Sequence, residues 1–306
     1  QGRHLRRHTT TQSPGAPTLV PANRKPLAES QVTIEERGSN RTLRSNGIPT
    51  HDVGAFPNPG NPNLMSRQSH AVTLPLKPRT NTRATPLQPG PFGFILNGIP
   101  LEPGAAEFYL GDPSTGWQYE ALSGAVPLGL DENHAHVQPT GNYHYHGLPT
   151  GYLDRTNLSP DTHSPLIGWA VDGFPIYALY GYALPNDPSS AIVELQASYQ
   201  LQNGRRPTGS RNPGGSYDCT FTRDYEFVAG LGDLDECNGR FCLTPDFPDG
   251  TYAYFLTEEY PVIPRFWRGT PQRPKRAGPE GPPSGKGRPP GPKGFGPPKG
   301  PPPPRF

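Results

Sequence analysis

Residues 134–146 have the sequence His134-Ala-His136-Val-Gln-Pro-Thr-Gly-Asn-Tyr-His144-Tyr-His146, in which two His-x-His pairs flank a Pro-Thr-Gly-Asn segment. Proline, glycine and asparagine in succession are typical of a tight turn, so the stretch predicts a β-hairpin. Side chains alternate between the faces of a strand, and residues two apart lie roughly 6.5–7 Å from each other. His144 and His146 therefore share one face, and the turn folds the first pair back against them.

Several imidazoles on one hairpin are typical of a metal site, and the predicted ligands are His134, His136, His144 and His146. Imidazole nitrogens suit copper or zinc better than calcium. The alternative is an aromatic-rich core hairpin whose histidines bond backbone carbonyls. Three histidines with an open position would permit metal-bound water chemistry. The sequence shows no nucleophile elbow, His-Glu-x-x-His helix or phosphate-binding glycine loop, so we assign no catalytic residue and regard an enzyme as the less favoured reading.

The hairpin also carries a family resemblance, because Tyr143-His144-Tyr145-His146-Gly147 resembles the signature of the YHYH-domain family. The resemblance extends over residues 48–270 and includes, in order, 163–177, 214–218, 232–240 and 251–255. It implies a domain found mostly in secreted or envelope-associated proteins, with a largely undefined molecular function.

The resemblance also bears on the cysteines, which are Cys219, Cys237 and Cys242. The family pattern has a cysteine at the position of Cys237 but none at the other two positions. It therefore implies a disulfide between Cys219 and Cys242, with Cys237 buried or near the metal. A bridge between Cys237 and Cys242 is the alternative.

A second polar cluster comprises Asp233, Asp235, Glu236 and Asn238. Its carboxylates and amide suit a hard cation such as calcium, although the spacing is not that of an EF-hand. The favoured interpretation is a polar turn capped by its own side chains, with an internal ion pair to Arg240.

Two single residues are further candidates for the metal centre. Asp172 is interpreted as a turn residue or as a carboxylate that orients a histidine, and His163 as a further metal ligand.

Short apolar or aromatic runs separated by glycine, proline, asparagine and aspartate predict strands. The predicted strands are 31–35, 92–96, 117–121, 168–171, 176–180, 225–228 and 252–256, and only 189–201 predicts a helix. The fold class is therefore mainly β, a single compact sandwich or distorted barrel with long loops. The first strand either folds back on its own domain or completes the sheet of a neighbouring copy.

The charge distribution divides the chain into three parts: an extended basic arm (1–47), the β domain (48–270) and a tail (271–306). Residues 1–30 carry a net charge of +4, residues 271–306 carry +7, and the rest carries −9. The tail is rich in proline, glycine and lysine without a strict glycine repeat, which predicts polyproline II and not a collagen triple helix. Basic arms beside an acidic body favour head-to-tail association between copies.

Export is expected, because the chain begins at Gln1 as if a signal peptide had been removed. Glycosylation sequons occur at Asn40 and Asn157, and three nearby cysteines agree with an oxidising compartment. No apolar run is long enough for a membrane span. Nucleic-acid binding is disfavoured, since an acidic body repels phosphates and no reading module is recognisable.

These patterns predict a secreted structural protein that joins copies of itself through its arms into a fibre or surface assembly, with a metal site in the β domain. The alternative is an extracellular copper- or zinc-binding protein, with or without a metal-dependent enzymatic activity, whose basic tails tether it to anionic surface or matrix polymers.

Overall fold

The computed structural model describes residues 18–272, and β-strands are the main regular structure in this range. The strands are β1 (Val32–Arg37), β2 (Asn40–Ser45), β3 (His70–Pro75), β4 (Thr85–Pro86), β5 (Gly93–Ile95), β6 (Pro100–Leu101), β7 (Gly104–Phe108), β8 (Gln118–Glu120), β9 (Ala135–Val137), β10 (Tyr143–Tyr145), β11 (Gly168–Ala170), β12 (Pro175–Ala178), β13 (Tyr180–Tyr182), β14 (Ile192–Glu194), β15 (Tyr199–Leu201), β16 (Tyr225–Phe227), β17 (Gly239–Thr244), β18 (Phe247–Leu256) and β19 (Phe266–Trp267). The helices are short: α1 (Thr150–Leu153) and the 3₁₀ turns Tyr109–Gly111, Pro113–Thr115 and Thr222–Asp224.

An eight-stranded mixed sheet organises the molecule, in the order β17-β18-β12-β11-β5-β6-β10-β9. The β12–β18 and β6–β10 pairs are parallel, and the other pairs are antiparallel. A three-stranded sheet β1-β2-β3 and four two-stranded ribbons complete the described structure. The β9–β10 hairpin that carries the paired histidines therefore forms one edge of the main sheet.

The core lies against the middle of this sheet, where strands are covered on both faces. Every residue of β12 is buried, as is every residue of β5, β10 and β11. β18 is exposed near its start and buried at its end, so this long strand leads from solvent into the core. A strand buried on both faces reads as a continuous apolar or aromatic run, which is the pattern that these segments have in the sequence.

The predicted fold class is confirmed as mainly β, although the described sheets do not close into a barrel. The strands predicted from 92 onward all occur, with 176–180 divided between β12 and β13. The predicted helix at 189–201 is wrong. Its residues form β14, paired with β13, and β15, paired with β16, so tertiary pairing overrides the local helical pattern.

The predicted strand at 31–35 is β1, and it pairs with β2 of the same chain. The preceding segment also lies on its own domain, through bridges from Val20 to Asp131 and from Arg24 to Val53. Of the two predicted alternatives, the described part of this arm follows the one in which the strand folds back on its own domain. Residues 1–17 of the predicted arm and 273–306 of the predicted polyproline II tail lie outside the described residues.

Within residues 18–272, no helix combines the length and the apolar character needed to cross a bilayer.

Candidate metal centre

The hairpin brings three histidines to a common point. β9 and β10 pair so that His136 lies opposite His144, and His146 follows directly after β10. The Nε2 atom of His146 lies 3.0 Å from Nε2 of His144 and 3.1 Å from Nε2 of His136. We call these three residues the histidine triad; one ligand nitrogen from each lies within 4.8 Å of the others. Nitrogens bound to one metal at about 2.1 Å, at angles of roughly 90–110°, are themselves about 3.0–3.4 Å apart, so the spacing suits a shared cation.

Backbone carbonyls orient two of the rings. Nδ1 of His136 donates to the carbonyl oxygen of Leu128 at 2.8 Å, and Nδ1 of His144 donates to that of Asn142 at 3.3 Å. Since a carbonyl can only accept, these Nδ1 atoms carry the ring proton and Nε2 carries a lone pair. Nδ1 of His146 faces the Pro103 backbone but makes no hydrogen bond within the described residues.

The three rings do not carry enough N–H donors to give every Nε2 lone pair of the triad a hydrogen bond. With His136 and His144 fixed as Nε2 acceptors, only His146 can supply a proton at the centre, and it lies near both. In either tautomer of neutral His146, at least one Nε2 acceptor has no donor. Three lone pairs directed at one point are the donor set that a transition-metal ion requires.

Burial keeps the triad from gaining protons. Desolvation is the main cause that lowers the pKa of His136 to about 4 and that of His144 to about 4. It also lowers the pKa of His146 well below the ordinary value, with the neighbouring histidines adding to the effect. The rings are therefore neutral near pH 7, which is the form that binds metals.

The fourth predicted ligand, His134, is not part of the triad. It has a positive φ of 57°, its backbone carbonyl accepts from the His146 amide at 2.8 Å, and its Nδ1 donates to the Leu148 carbonyl at 2.8 Å. Its ring is therefore directed to the segment after the hairpin. The sequence pattern cannot distinguish it from a ligand, because the residue stands just outside β9, where strict alternation of side chains ends.

Two carboxyl groups outside the triad have no signature in the sequence. Glu102 accepts a hydrogen bond from Gln138 Nε2 at 2.7 Å, and its burial raises its pKa to about 7. Because β10 lies between β6 and β9, this bond joins the two segments that flank the central histidine strand. The second is Glu107 in β7, whose charge acts on His136. Glu102 is distant from the hairpin in sequence, and the sheet order brings it beside β10, where its backbone amide donates to the Tyr145 carbonyl at 2.9 Å.

The tyrosines of the hairpin lie in the core and bind a different set of residues. The Tyr145 hydroxyl donates to Nε2 of His51 at 2.5 Å and accepts from Asn97 Nδ2 at 3.0 Å. The Tyr143 hydroxyl donates to Asp131 Oδ2 at 2.8 Å. Burial raises the pKa of both tyrosines well above the ordinary value, so they are neutral donors that position β10 from behind.

The cluster of Asp233, Asp235, Glu236 and Asn238 is a polar turn. Asp235 Oδ1 accepts from the amide of Cys237 and from the hydroxyl of Tyr252, while the Asn238 amide donates to the Phe255 carbonyl. The ion pair predicted with Arg240 is wrong. Arg268 instead contacts Asp235 at 2.6 Å and Glu236 at 3.0 Å, and Arg240 donates to the Tyr182 carbonyl. A cation is thus already supplied by the protein, which argues against calcium here.

Asp172 and His163 lie away from the triad. Asp172 accepts from the Tyr254 hydroxyl at 2.5 Å and from the amides of Gly269 and Phe174, so of its two predicted roles it has that of the turn residue. His163 packs between Tyr177 and Tyr182, with ring centroids 5.1 and 4.9 Å away.

The predicted disulfide between Cys219 and Cys242 is wrong, since all three cysteines are free and buried. Cys219 is close to the Tyr225 hydroxyl, and Cys242 packs with Tyr177 in a separate hydrophobic cluster. Cys237 belongs to the main core, so the alternative bridge to Cys242 is absent as well. Proximity in sequence does not bring these thiols together, because they pack in different parts of the structure.

The two sequon asparagines, Asn40 in β2 and Asn157 after α1, are both exposed. Their side chains are therefore accessible to a glycosyltransferase.

A family model described as YHYH protein matches residues 71–269, which is more than half of the chain and includes the whole histidine triad. No curated protein and no solved structure matches the chain.

Proposed function

We propose that this chain, which belongs to the YHYH protein family, is an extracellular transition-metal-binding protein whose ligands are His136, His144 and His146. The observation that carries the proposal is the meeting of three Nε2 atoms with separations of 3.0 and 3.1 Å from the central one. Copper or zinc is the expected metal, because neutral imidazoles suit both, and Cu²⁺ has the higher affinity for such donor sets. Three ligands from one hairpin leave other positions of the metal open for water or a small molecule.

Extracellular location is part of the proposal. The exposed sequons at Asn40 and Asn157 support it, and the resemblance to the YHYH-domain family implies it. We assign no catalytic residue to this function.

Metal binding is tested with the purified full chain by elemental analysis and by calorimetric titration with Cu²⁺ and Zn²⁺. We expect one metal ion per chain, and a loss of affinity of at least about 100-fold in His144→Ala or His146→Ala. The matched control is His134→Asn, because asparagine tolerates the positive φ of this position and the His134 ring, directed at the Leu148 carbonyl, is outside the ligand group. Equal losses in His134→Asn and His144→Ala, or a wild-type chain that binds neither metal, would overturn the proposal.

We also propose, as a second function, that the chain associates with copies of itself through its basic ends. The charge separation supports it: residues 271–306 carry +7 and residues 31–270 carry −9. Sedimentation of the full chain and of a chain lacking residues 271–306 tests this. We expect the full chain to form assemblies and the truncated chain to stay monomeric. We also expect 1 M salt to dissociate the assemblies, because the Debye length is then about 3 Å. If the truncated chain behaves like the full one, or if the ends bind only anionic polymers, the basic ends act as tethers instead.

A further inference from the structure

The chain contains four Asn-Gly pairs, at 46–47, 97–98, 203–204 and 238–239. Such a pair has a spontaneous reaction open to it, in which the glycine nitrogen attacks Cγ of the asparagine side chain. Glycine favours this reaction because it has no side chain that hinders the approach of its nitrogen. In a folded protein, the reaction requires that the asparagine side chain and the glycine nitrogen are free to meet.

Three of the four pairs are buried and hydrogen-bonded at both reacting groups. The side-chain amides of Asn46, Asn97 and Asn238 donate, at 2.9–3.0 Å, to a backbone carbonyl or a tyrosine hydroxyl. The nitrogens of the glycines that follow them donate, at 2.8–3.3 Å, to a side-chain or backbone oxygen. The two groups of each pair therefore meet only after these hydrogen bonds break.

The pair Asn203-Gly204 has neither kind of protection. Both residues are exposed, and neither the Asn203 side chain nor the Gly204 nitrogen makes a hydrogen bond within the described residues. Gly204 has a φ of +98° and open space around its Cβ position, so no packed group restricts the pair. The attacking nitrogen and the amide that it attacks are thus both free in the folded chain.

The chain on either side of this pair is held in place. The Gln202 nitrogen donates to the Asp224 carbonyl at 2.8 Å, and the Arg206 nitrogen donates to the Gly215 carbonyl at 2.9 Å. The Arg206 side chain also forms a buried ion pair with Asp224. A change in backbone length between these two anchors therefore strains the contacts that they make.

We propose that Asn203 is a site of spontaneous deamidation and isoaspartate formation. The Gly204 nitrogen forms a bond to Cγ of Asn203, the Cγ–Nδ2 bond breaks, and ammonia leaves with the proton of the Gly204 nitrogen. Water then opens the cyclic imide at one of its two carbonyls, which gives aspartate or isoaspartate. Both products carry a new negative charge, and isoaspartate also adds one atom to the backbone between the two anchors. The inference is independent of the metal site.

Peptide mapping by mass spectrometry tests the inference on the purified full chain, incubated at mildly alkaline pH. The readout is the mass increase of an amide that becomes an acid. We expect Asn203 to react at least about tenfold faster than Asn46, Asn97 and Asn238 in the folded chain. In concentrated urea, which removes the protecting hydrogen bonds, we expect similar rates at all four positions. Equal rates in the folded chain, or an unreacted Asn203, would overturn the proposal.

The variants Asn203→Gln and Asn203→Asp separate the new charge from the longer backbone. Asn203→Gln keeps the amide but must close a larger ring, so we expect it to keep its melting temperature during an incubation in which that of the wild type falls. Fresh Asn203→Asp adds the charge without the extra backbone atom and should melt with the fresh wild type. An equal fall in Asn203→Gln during the incubation would overturn the proposed effect on the fold.

Discussion

At the scale of single residues, the side chains on the two faces of the hairpin have different roles. Tyr145 stands between His144 and His146 in the sequence, but its side chain is fully buried in the core, where its hydroxyl bonds His51 and Asn97. His144 and His146 instead meet His136. Because side chains alternate along β10, the residue that anchors the strand in the core and the histidines that form the triad lie on opposite faces.

Tyr145→Phe should therefore destabilise the fold without removing the metal site. The change leaves Nε2 of His51 and the amide of Asn97 buried without their partner, and we expect a loss of about 2–3 kcal/mol in the free energy of unfolding. Urea denaturation of the metal-free chain measures it, with Tyr217→Phe as a control that removes a hydroxyl without a hydrogen bond in the described chain. Loss of metal stoichiometry in Tyr145→Phe would contradict the separation of the two faces.

The raised pKa of the buried Asp172 carboxyl leads us to expect that the stability of the fold depends on pH. Its burial raises the pKa from an ordinary 3.8 to about 6, so between these values the folded state binds more protons than the unfolded state. The contribution of this group to the free energy of unfolding is therefore fully present below about pH 4. It is lost as the pH rises through 6, and the loss amounts to roughly 3 kcal/mol.

The measurement for Asp172 is the free energy of unfolding at several pH values for the wild type and for Asp172→Asn, which does not titrate. We expect the wild type to lose stability relative to the variant as the pH rises from 4 to 7. A constant difference between the two would show that the carboxyl of Asp172 has an ordinary pKa.

At the scale of elements, the turn between β9 and β10 sets the register that aligns His136 with His144. The Gln138 amide bonds the Asn142 carbonyl at 2.9 Å, and the Gly141 amide bonds the Gln138 carbonyl at 2.8 Å. Gly141 has a φ of +83°, and a Cβ atom there would lie 2.0 Å from Ser66 Oγ. The turn is thus packed against the segment that precedes β3, and its conformation is held on both sides.

Gly141→Ala should cost more than the conformational penalty of alanine at positive φ. Gly38, in the β1–β2 turn, has a φ of +61° and open space around its Cβ position, so Gly38→Ala measures that penalty alone, about 1 kcal/mol. We expect Gly141→Ala to lose at least about 2 kcal/mol more and to weaken Cu²⁺ binding, because Ser66 must move and the register shifts. Equal losses in the two variants would mean that Ser66 moves aside freely.

At the scale of the whole molecule, the triad lies on the β9–β10 hairpin at one edge of the main sheet. A metal that binds only the folded state adds its binding free energy to stability, about 2.7 kcal/mol at a free concentration 100 times the Kd. We therefore expect Cu²⁺ or Zn²⁺ to raise the melting temperature and a chelator to reverse the rise. His144→Ala should melt at the same temperature with and without metal; a metal-dependent shift in that variant would indicate a site elsewhere.

Several features could be predicted from local sequence because their physical cause is local. Strand alternation and the turn residues predict the hairpin and the shared side of His136, His144 and His146. The helix predicted at 189–201 failed because its partners, β13 and β16, are remote in sequence. The ion pair to Arg240 failed for the same reason: Arg268 reaches Asp235 from a segment that the local pattern does not include.

Local sequence patterns were enough to predict that the chain is mainly β and that paired histidines share a hairpin, because periodicity and turn residues act locally. The resemblance of its motifs was enough to suggest the YHYH family. Three relations followed from the tertiary fold alone: His134 lies outside the ligand group, Glu102 bonds Gln138 beside the hairpin, and the three cysteines stay apart. The physical reason is that these relations depend on the order of strands in the sheet and on which groups share a buried space, and neither is encoded in neighbouring residues.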